Sequence, residues 1–345
     1  MKQALALCGT LLLLAGHPAV YGQDSGRQEI PYADPTIVLV GDTYYLTGTS
    51  SQTPAGFTVL LSDELEGPWR TGTTDDTRFL LTQGTSYGTA GFWAPQWIQL
   101  DNNVWGLAYT ANEQTALAWS DRVTGPFRQD TLRPIDASAK NIDPFLFRDD
   151  DGKCYLYHVR FDHGNYIWVA EFDLQQGTIR PETLRRCLDN TEPWENTPSY
   201  PSVPIMEGPT VVKLDGVYYL FFSANHFMNV DYAVGYATSS SPLGPWVKHA
   251  ENPIISRRIV GENGSGHGDI FRGKDERLYY VYHVHASDRE VSPRRTRIVP
   301  LHLAKRADGL YDISVKPDAV IIPRRILGTA GSNAETIKLS RNINK

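Results

Sequence analysis

Cysteine is scarce in this chain, and its absence from paired motifs excludes several kinds of site. Cys8, Cys154 and Cys187 are the three cysteines in 345 residues, and no Cys-x-x-Cys pair supports a zinc site or a dithiol redox centre. Cys154 and Cys187 could form one disulfide in an oxidising compartment, or remain two separate small apolar residues. The net charge is −6 and basic residues form no long block, which argues against a nucleic-acid partner.

Long apolar runs are also lacking after the first residues. Residues 1–22 resemble a signal peptide: Lys2 is an early charge, Leu11 to Leu14 anchor the apolar stretch, and small residues lie near position 22. This stretch is too short to span a bilayer comfortably. Cys8 precedes the leucines, which argues against a lipoprotein. The sequence therefore predicts a protein that is secreted or periplasmic after signal peptide removal, without membrane insertion.

Amphipathic helical patterns are scarce too, and short apolar or alternating runs fill the chain instead. Pairs of such runs, joined by turns rich in Gly, Asp and Asn, are typical of β-hairpins. Five pairs are found: residues 36–40 with 43–48, 94–100 with 104–109, 145–148 with 153–158, 210–213 with 217–223, and 269–273 with 277–283.

A Gly-Pro-aromatic unit recurs after three of the strand-like segments. It comprises Gly67-Pro68-Trp69, Gly125-Pro126-Phe127 and Gly244-Pro245-Trp246. Each unit would turn the chain and fix it with a buried ring. The hairpins follow one another at about sixty residues, and a repeat of that length built from four strands predicts a five-bladed β-propeller. A β-sandwich with chance similarities is the alternative. We expect one propeller domain over residues 23–323 and a polar tail over 324–345.

Three acidic residues precede inner-strand runs at similar places. Asp34 and Asp143 each lie before a proline, and Glu207 lies before Gly208-Pro209. In a propeller the inner strands start at one mouth of the central axis, so these carboxylates from blades 1, 3 and 4 should share a pocket. A proline suits a strand entry because it lacks an amide donor. Asp-Pro is also a common turn dipeptide, which is the alternative explanation for each acid alone.

These residues resemble glycoside hydrolase family 43, five-bladed propellers that cleave arabinofuranosides and xylosides. The resemblance spans roughly residues 30–323. It is carried by Ala33-Asp34-Pro35, Phe92-Trp93-Ala94-Pro95, Ile142-Asp143-Pro144, Glu207-Gly208-Pro209, the segment 218–225, residues 235–246, and Gly266-His267-Gly268. Gln96 departs from the pattern, since an acid often stands there.

The resemblance implies a role for each acid. Asp34 would be the general base that activates water, and Glu207 the general acid that protonates the leaving oxygen. Asp143 would hold Glu207 and raise its pKa, because a nearby negative charge penalises ionisation. The family inverts the anomeric configuration, which needs a water between base and sugar and a carboxyl separation of roughly 6.5–9.5 Å.

Other site residues are predicted less directly. Trp93 is a candidate to stack on a sugar, and Asn225 and His267 are candidates to contact the substrate, with buried structural roles as the alternative. The resemblance also implies that His267 lies near a calcium or sodium ion on the propeller axis. No cofactor is expected to be needed for the chemistry. One of Arg294, Arg295 and Arg297 could reach the sugar, and His283 and His285 are expected to pack.

The predicted function is therefore the inverting hydrolysis of terminal α-L-arabinofuranose from plant polysaccharide side chains. A β-D-xylosidase or an endo-arabinanase of the same family is the nearest alternative, and a non-catalytic carbohydrate-binding propeller is the alternative of another class. The expected partner is a plant polysaccharide or oligosaccharide. The long connection over residues 189–204 could close one side of the site, which would favour exo action.

Overall fold

The computed structural model describes residues 26–72, 78–101 and 103–326. The predicted signal peptide and residues 327–345 of the predicted tail lie outside this range. Within it, no helix is both long and apolar enough to cross a membrane. The helical segments that lie wholly within the described ranges are α1 (Arg257–Val260) and the 3-10 turns Pro181–Thr183, Pro193–Glu195 and Pro317–Ala319.

The first half of the chain forms three antiparallel sheets after a short N-terminal strand. The strands in chain order are β1 (Arg27–Glu29), β2 (Ala33–Val40), β3 (Thr43–Thr49), β4 (Gly56–Thr58), β5 (Leu60–Ser62), β6 (Arg70–Thr71), β7 (Phe79–Thr82), β8 (Trp93–Asp101), β9 (Val104–Ala111) and β10 (Gln114–Ser120). Blade 1 has the order β2-β3-β5-β6, with β4 paired to β7 beside it. Blade 2 has the order β8-β9-β10.

The second half forms four more antiparallel sheets, three of which are blades. Its strands are β11 (Asn141–Arg148), β12 (Cys154–Phe161), β13 (Asn165–Asp173), β14 (Thr178–Ile179), β15 (Arg185–Arg186), β16 (Met206–Leu214), β17 (Val217–Ala224), β18 (Ala233–Ser239), β19 (Val247–Lys248), β20 (Gly266–Arg272), β21 (Leu278–Val284), β22 (Arg295–Pro300), β23 (His302–Lys305), β24 (Tyr311–Ser314) and β25 (Arg324–Ile326). Blade 3 is β11-β12-β13-β14 with β15 on β13, blade 4 is β16-β17-β18-β19, and blade 5 is β20-β21-β22.

The five inner strands form a closed ring. β2 contacts β8 and β20, β11 contacts β8 and β16, and β16 contacts β20. A separate hydrophobic cluster fills each of the five spaces between neighbouring blades. This arrangement confirms the predicted all-β, five-bladed propeller.

Residues from both ends of the described chain meet at blade 1. β1 pairs with β25, the backbone N–H of Trp69 donates to the carbonyl of Arg324 (2.9 Å), and the N–H of Ile326 donates to the carbonyl of Trp69 (2.9 Å). Residues 324–326, which lie within the predicted tail, are therefore hydrogen-bonded to the propeller. Their hydrogen bonds join the segment after blade 5 to blade 1.

The two cysteines of the described region are free thiols. Cys154 is buried in the cluster between blades 2 and 3, whereas Cys187 packs against the cluster between blades 3 and 4. The two side chains thus fill separate apolar spaces.

Two of the three Gly-Pro-aromatic units bury their rings completely. Trp69 and Phe127 have no exposed surface, and the Trp69 indole N–H donates to the carbonyl of Leu65 (2.9 Å). The Trp246 ring is only partly buried and lies edge-on to Tyr157. The units therefore differ in how much packing each contributes.

We expect Trp69→Ala and Phe127→Ala to lower the free energy of unfolding by about 3–5 kcal/mol each, because each leaves a cavity in a closed cluster. Trp246→Ala is the matched control and should cost less, since its ring is partly exposed. Urea unfolding followed by fluorescence or circular dichroism gives the three values. A cost for Trp246→Ala equal to that of the other two would contradict this packing account.

Candidate active site

Every inner strand has the same irregularity near its start. The pairing register shifts between Ala33 and Thr36, Trp93 and Gln96, Ile142 and Phe145, Glu207 and Thr210, and Gly266 and Gly268. Within each irregularity one residue adopts a left-handed conformation, with φ of 46° at Asp34, 46° at Ala94, 54° at Asp143, 60° at Gly208 and 44° at His267. A bulge of this kind breaks the alternation of the strand and redirects a side chain.

Asp34 and Asp143 occupy equivalent bulge positions, and the structure corrects the predicted equivalence of Glu207 by one residue. The bulge position of blade 4 is Gly208, and Glu207 stands one residue earlier, where blade 2 has Trp93. Pro35, Pro144 and Pro209 each directly follow the bulge residue of their strand. Aligning the three segments on these prolines therefore gives the register that the structure shows. Glu207 thus approaches the site from a paired strand position rather than from a bulge.

The backbone N–H of each bulge residue contacts a side chain of the preceding blade. The N–H groups of Ala94, Asp143 and His267 donate to the hydroxyls of Thr49 (2.9 Å), Thr110 (2.9 Å) and Ser223 (2.7 Å), respectively. At the junction of blades 5 and 1, Nδ1 of His283 lies 3.1 Å from the backbone nitrogen of Asp34.

The junction between blades 3 and 4 is different, and the difference involves a predicted catalytic residue. The position that carries Thr49, Thr110 and Ser223 on other blades is Val159 on blade 3, opposite Ile142, and valine has no acceptor. The N–H of Gly208 donates instead to Oδ2 of Asp143 (3.3 Å). Asp143 is thereby tied to the residue that follows Glu207.

The three carboxylates are buried at the mouth, where each is between 6% and 8% exposed. Asp34 is surrounded by basic side chains. Nη1 of Arg294 lies 3.0 Å from Oδ1 of Asp34 and 3.2 Å from Nε2 of His283. The backbone N–H of Asp34 donates to Nδ1 of His283, and this nitrogen also lies 3.3 Å from Oδ1 of Asp34.

These contacts fix the charge of Asp34. Burial alone would raise the pKa of its carboxyl, but the Arg294 charge, followed by His267 and His283, holds that pKa well below its usual range. Burial and the Arg294 charge lower the pKa of His283 to about 3, so this imidazole is neutral. Asp34 is therefore an ionised carboxylate at every ordinary pH.

Glu207 and Asp143 have the opposite electrostatics. Burial raises the pKa of Glu207 to about 7; the Tyr232 hydroxyl, which donates to Oε1 at 2.8 Å, lowers it, and the Asp34 charge raises it again. Burial and the charges of Glu207 and Asp34 also raise the pKa of Asp143. Two neighbouring buried carboxylates do not both ionise readily, so the pair retains a proton near neutral pH.

Hydrogen bonds act on both members of this pair. The backbone N–H of Gly208 stabilises the charged form of Asp143, and side-chain hydrogen bonds from Tyr232 and Asn165 lower the pKa of Glu207. Burial outweighs them, so Glu207, with a pKa of about 7, can hold a proton near neutral pH. The site therefore combines an ionised carboxylate, Asp34, with a buried carboxyl pair, Asp143 and Glu207, that retains a proton, as general acid–base chemistry requires.

His267 lies between two of the acids. Its Nδ1 is 3.4 Å from Oδ1 of Asp34 and 3.8 Å from Oδ2 of Asp143. Burial lowers the pKa of its imidazole, which the Asp34 charge partly offsets. Over the described ranges, no group of three or more His, Cys, Asp or Glu side chains is arranged to hold a metal ion. The axial ion contact of His267 stays a prediction.

Trp93 stands at the edge of a cavity that Arg294 also lines. This cavity has a volume of about 650 Å³, within the range of small-molecule sites, and its lining includes Ala33, Gln52, Trp93 and Arg294. The Trp93 side chain is 39% exposed. It is available to stack on a ligand held in front of Arg294.

Asn225 lies on blade 4, and its side chain binds backbone groups of neighbouring segments. Its amide accepts from the N–H of Thr197 (2.7 Å) and donates to the carbonyls of Trp194 (2.8 Å) and Asp231 (3.0 Å). These bonds fasten the 189–204 connection to blade 4. The predicted substrate contact of Asn225 remains a prediction, and the observed contacts give it an anchoring role.

Of the three arginines considered, Arg294 reaches the acids. Arg297 is 1% exposed and pairs with Glu262 and Glu29, and Arg295 also pairs with Glu29. Sequence reasoning missed Tyr232 and the contact of His283 with Asp34. Tyr232 follows the end of β17 across a long turn, and no motif of adjacent residues marks it.

Comparison with known proteins gives a consistent assignment. The model of the family described as "Glycosyl hydrolases family 43" matches residues 29–310. The chain is 39% identical to a solved structure described as an endo-1,4-beta-xylanase from Bacteroides thetaiotaomicron, covering 87% of this chain and 98% of that one with a TM-score of 0.78. It is 30% identical to a thermostable family-43 glycoside hydrolase, covering 83% and 93% with a TM-score of 0.72.

Among curated proteins, the chain is 24% identical over 267 residues to xylosidase/arabinosidase 43B of Humicola insolens. The match covers 72% of this chain and 46% of that protein. The chain thus spans about half the length of this relative.

The protonation states predict a pH profile for glycoside hydrolysis. An acid must be protonated to act, so kcat/KM should fall as the pH rises through the Glu207 pKa of about 7. The Tyr232 hydroxyl stabilises ionised Glu207, so Tyr232→Phe should raise that pKa and move the alkaline limb to higher pH. The measurement is kcat/KM against pH for both proteins.

Tyr109→Phe is the matched control, because the Tyr109 hydroxyl donates to the carbonyl of Tyr87 in blade 2. It should leave the alkaline limb in place. The assigned environment of Glu207 would be contradicted if the alkaline limb of Tyr232→Phe were unchanged or lay at lower pH.

Proposed function

The chain belongs to glycoside hydrolase family 43, and from this premise we propose that it is an inverting exo-glycosidase that releases a terminal pentose from plant polysaccharide side chains. α-L-Arabinofuranose is the first candidate for that sugar. One observation supports the mechanism: the Arg294 guanidinium lies 3.0 Å from Asp34 and lowers its pKa, whereas burial raises the pKa of Glu207 to about 7. A non-catalytic sugar-binding propeller would not need two carboxylates in opposite protonation states.

The proposed reaction is a single displacement. The Asp34 carboxylate takes a proton from a water molecule, whose oxygen attacks the anomeric carbon. The bond from that carbon to the leaving oxygen breaks, and Glu207 transfers its proton to this oxygen. Asp143 acts on Glu207 as a positioning residue. Because water attacks the face opposite the leaving group, the product has inverted configuration.

β-D-Xylose is the second candidate for the released sugar. The descriptions of two relatives favour it, since one is called a xylosidase/arabinosidase and the other an endo-1,4-beta-xylanase. The 189–204 connection supports exo rather than endo action, because it is fastened over blade 4 at the mouth. Secretion is proposed from residues 1–22 of the sequence.

A substrate panel tests the specificity. The 4-nitrophenyl α-L-arabinofuranoside, β-D-xyloside and β-D-galactoside would be assayed in parallel, followed by plant arabinan and arabinogalactan. We expect hydrolysis of a pentoside and none of the galactoside, with the inverted anomer appearing first in the proton NMR spectrum of the product. A retained anomer would overturn the mechanism, and a preference for the galactoside would overturn the proposed specificity.

Removing either catalytic group should give a distinct kinetic signature. Asp34→Ala should lower kcat on every substrate by a factor on the order of 10²–10⁴, because the water loses its base. Glu207→Ala should cause a comparable loss on natural glycosides but a smaller one on nitrophenyl glycosides, whose leaving group needs less protonation. Initial rates on both substrate types measure the difference.

Asp312→Ala is the control for these variants, since it removes an exposed carboxylate that pairs with Arg306. Its rates should match those of the wild-type protein. Equal losses on both substrate types in Glu207→Ala would remove Glu207 from the acid role, and full activity in Asp34→Ala would remove Asp34 from the base role.

A further inference from the structure

A row of aromatic side chains leads outward from Arg294. The Arg294 guanidinium lies 4.8 Å from the centre of the Phe227 ring. Phe227 stacks on His226 with ring centres 4.7 Å apart, and His226 stacks on Tyr200 with ring centres 4.8 Å apart. We call Tyr200, His226 and Phe227 the aromatic ledge. One end of the ledge thus meets the arginine that binds Asp34.

The ledge belongs to the blade that carries the acid. Tyr200 lies in the connection that leads into β16, which begins at Met206 and carries Glu207. His226 and Phe227 follow the end of β17, where Ala224 pairs with Met206. Trp93 stands on blade 2, and the 650 Å³ cavity is lined from blades 1 and 2 and from residues 292–294. The ledge does not line this cavity; it lies at blade 4, the blade of Glu207, and meets the cavity through Arg294.

The ledge does not serve as part of the hydrophobic core. Its three rings are partly exposed and belong to none of the five clusters between the blades, and the adjoining Met228 is 39% exposed. The same connection also supplies Trp194, which packs against Phe222 of the core. The connection thus uses one aromatic residue as an anchor and leaves Tyr200 at the surface.

The ledge is nevertheless held in a fixed position. Asn225 binds the connection through its side-chain amide, as described above, and the buried Glu195 pairs with Lys248 (2.7 Å). Asp231 accepts hydrogen bonds from the hydroxyls of Thr197 (3.0 Å) and Ser199 (2.5 Å). The ring of His285 lies 2.9 Å from the carbonyl of Phe227. A surface held this firmly is preorganised to bind a ligand without an ordering cost.

We propose that the aromatic ledge binds the sugar unit that leaves with the scissile oxygen. This inference rests on the proposed function, since the leaving unit is the one whose oxygen receives the Glu207 proton. Sugar rings present C–H faces that pack on aromatic rings, and Tyr200 and His226 offer such faces next to the blade of the acid. The ligand class is a neutral oligosaccharide with at least one unit beyond the cleaved bond. Phe227, at the inner end, positions Arg294.

The test compares substrates that differ only on the leaving side. β-1,4-Xylotriose and α-1,5-arabinotriose have a leaving sugar, whereas the glycosyl fluoride of the same terminal sugar has none. A nitrophenyl glycoside is unsuitable, because its aromatic leaving group could itself stack on the ledge. In Tyr200→Ala and His226→Ala, kcat/KM on the preferred trisaccharide should fall by about tenfold or more. The loss on the fluoride should be several-fold smaller.

Two variants control for general damage. Tyr200→Phe keeps the ring and loses only the hydroxyl contact with Met228, so it should retain most of the trisaccharide activity. Tyr311→Ala removes a partly buried tyrosine that binds Asp215, at the end of blade 4 remote from the mouth, and should match the wild-type protein on both substrates. Equal losses on trisaccharide and fluoride, or no loss on either, would overturn the proposal.

A binding measurement separates this proposal from the proposed function. Calorimetry would give the Kd of the two trisaccharides for Glu207→Ala and for the double variant with Tyr200→Ala. We expect the second Kd to be about tenfold higher. A protein without hydrolytic activity would overturn the proposed function, yet this ratio would still show whether the ledge binds sugar. Equal Kd values for the two proteins would overturn the proposal that the ledge binds sugar, whatever the hydrolytic activity.

Discussion

The site depends on a backbone constraint that the fold imposes five times. Each inner strand contains a left-handed residue near its start, and four of these five residues are not glycine. Such a conformation costs on the order of 1–3 kcal/mol for an ordinary residue and persists only where the surroundings enforce it. Here the preceding blade supplies the enforcement through side chains such as Thr110 and Ser223. The result is a ring of redirected positions around one mouth, which brings Asp34, Asp143 and His267 together.

Blade 4 departs from this pattern, and its departure links two of the acids by a hydrogen bond. Because Val159 lacks an acceptor, Gly208 binds the Asp143 carboxylate, and this bond connects the two acids on neighbouring blades. Arg294 lies next to Asp34 on the other side of the mouth. Burial acts alike on all three carboxylates, so the asymmetric placement of a single guanidinium keeps Asp34 charged, whereas the pKa values of Asp143 and Glu207 are raised.

Much of the fold could be predicted from the sequence, because its signals are local. The hairpins and the Asp-Pro entries at Asp34 and Asp143 are short patterns with direct physical meaning. Aligning the three acids places Glu207 one residue out of register, because Gly208 separates it from Pro209, whereas Asp34 and Asp143 directly precede their prolines. Arg294 could not be separated from its two neighbours, since its partner Asp34 lies 260 residues away in the sequence. The roles of Tyr232 and of residues 324–326 also arise from contacts between distant segments.

The most direct test of this account is the protonation state of Glu207. Carbon-13 NMR of protein labelled at the glutamate carboxyl carbons, with Glu207→Gln used to assign the signal, would follow its titration. The account predicts a transition near pH 7 for Glu207. A transition near the ordinary glutamate value of about 4.3 would contradict it, because the site would then hold no proton for a leaving group at neutral pH.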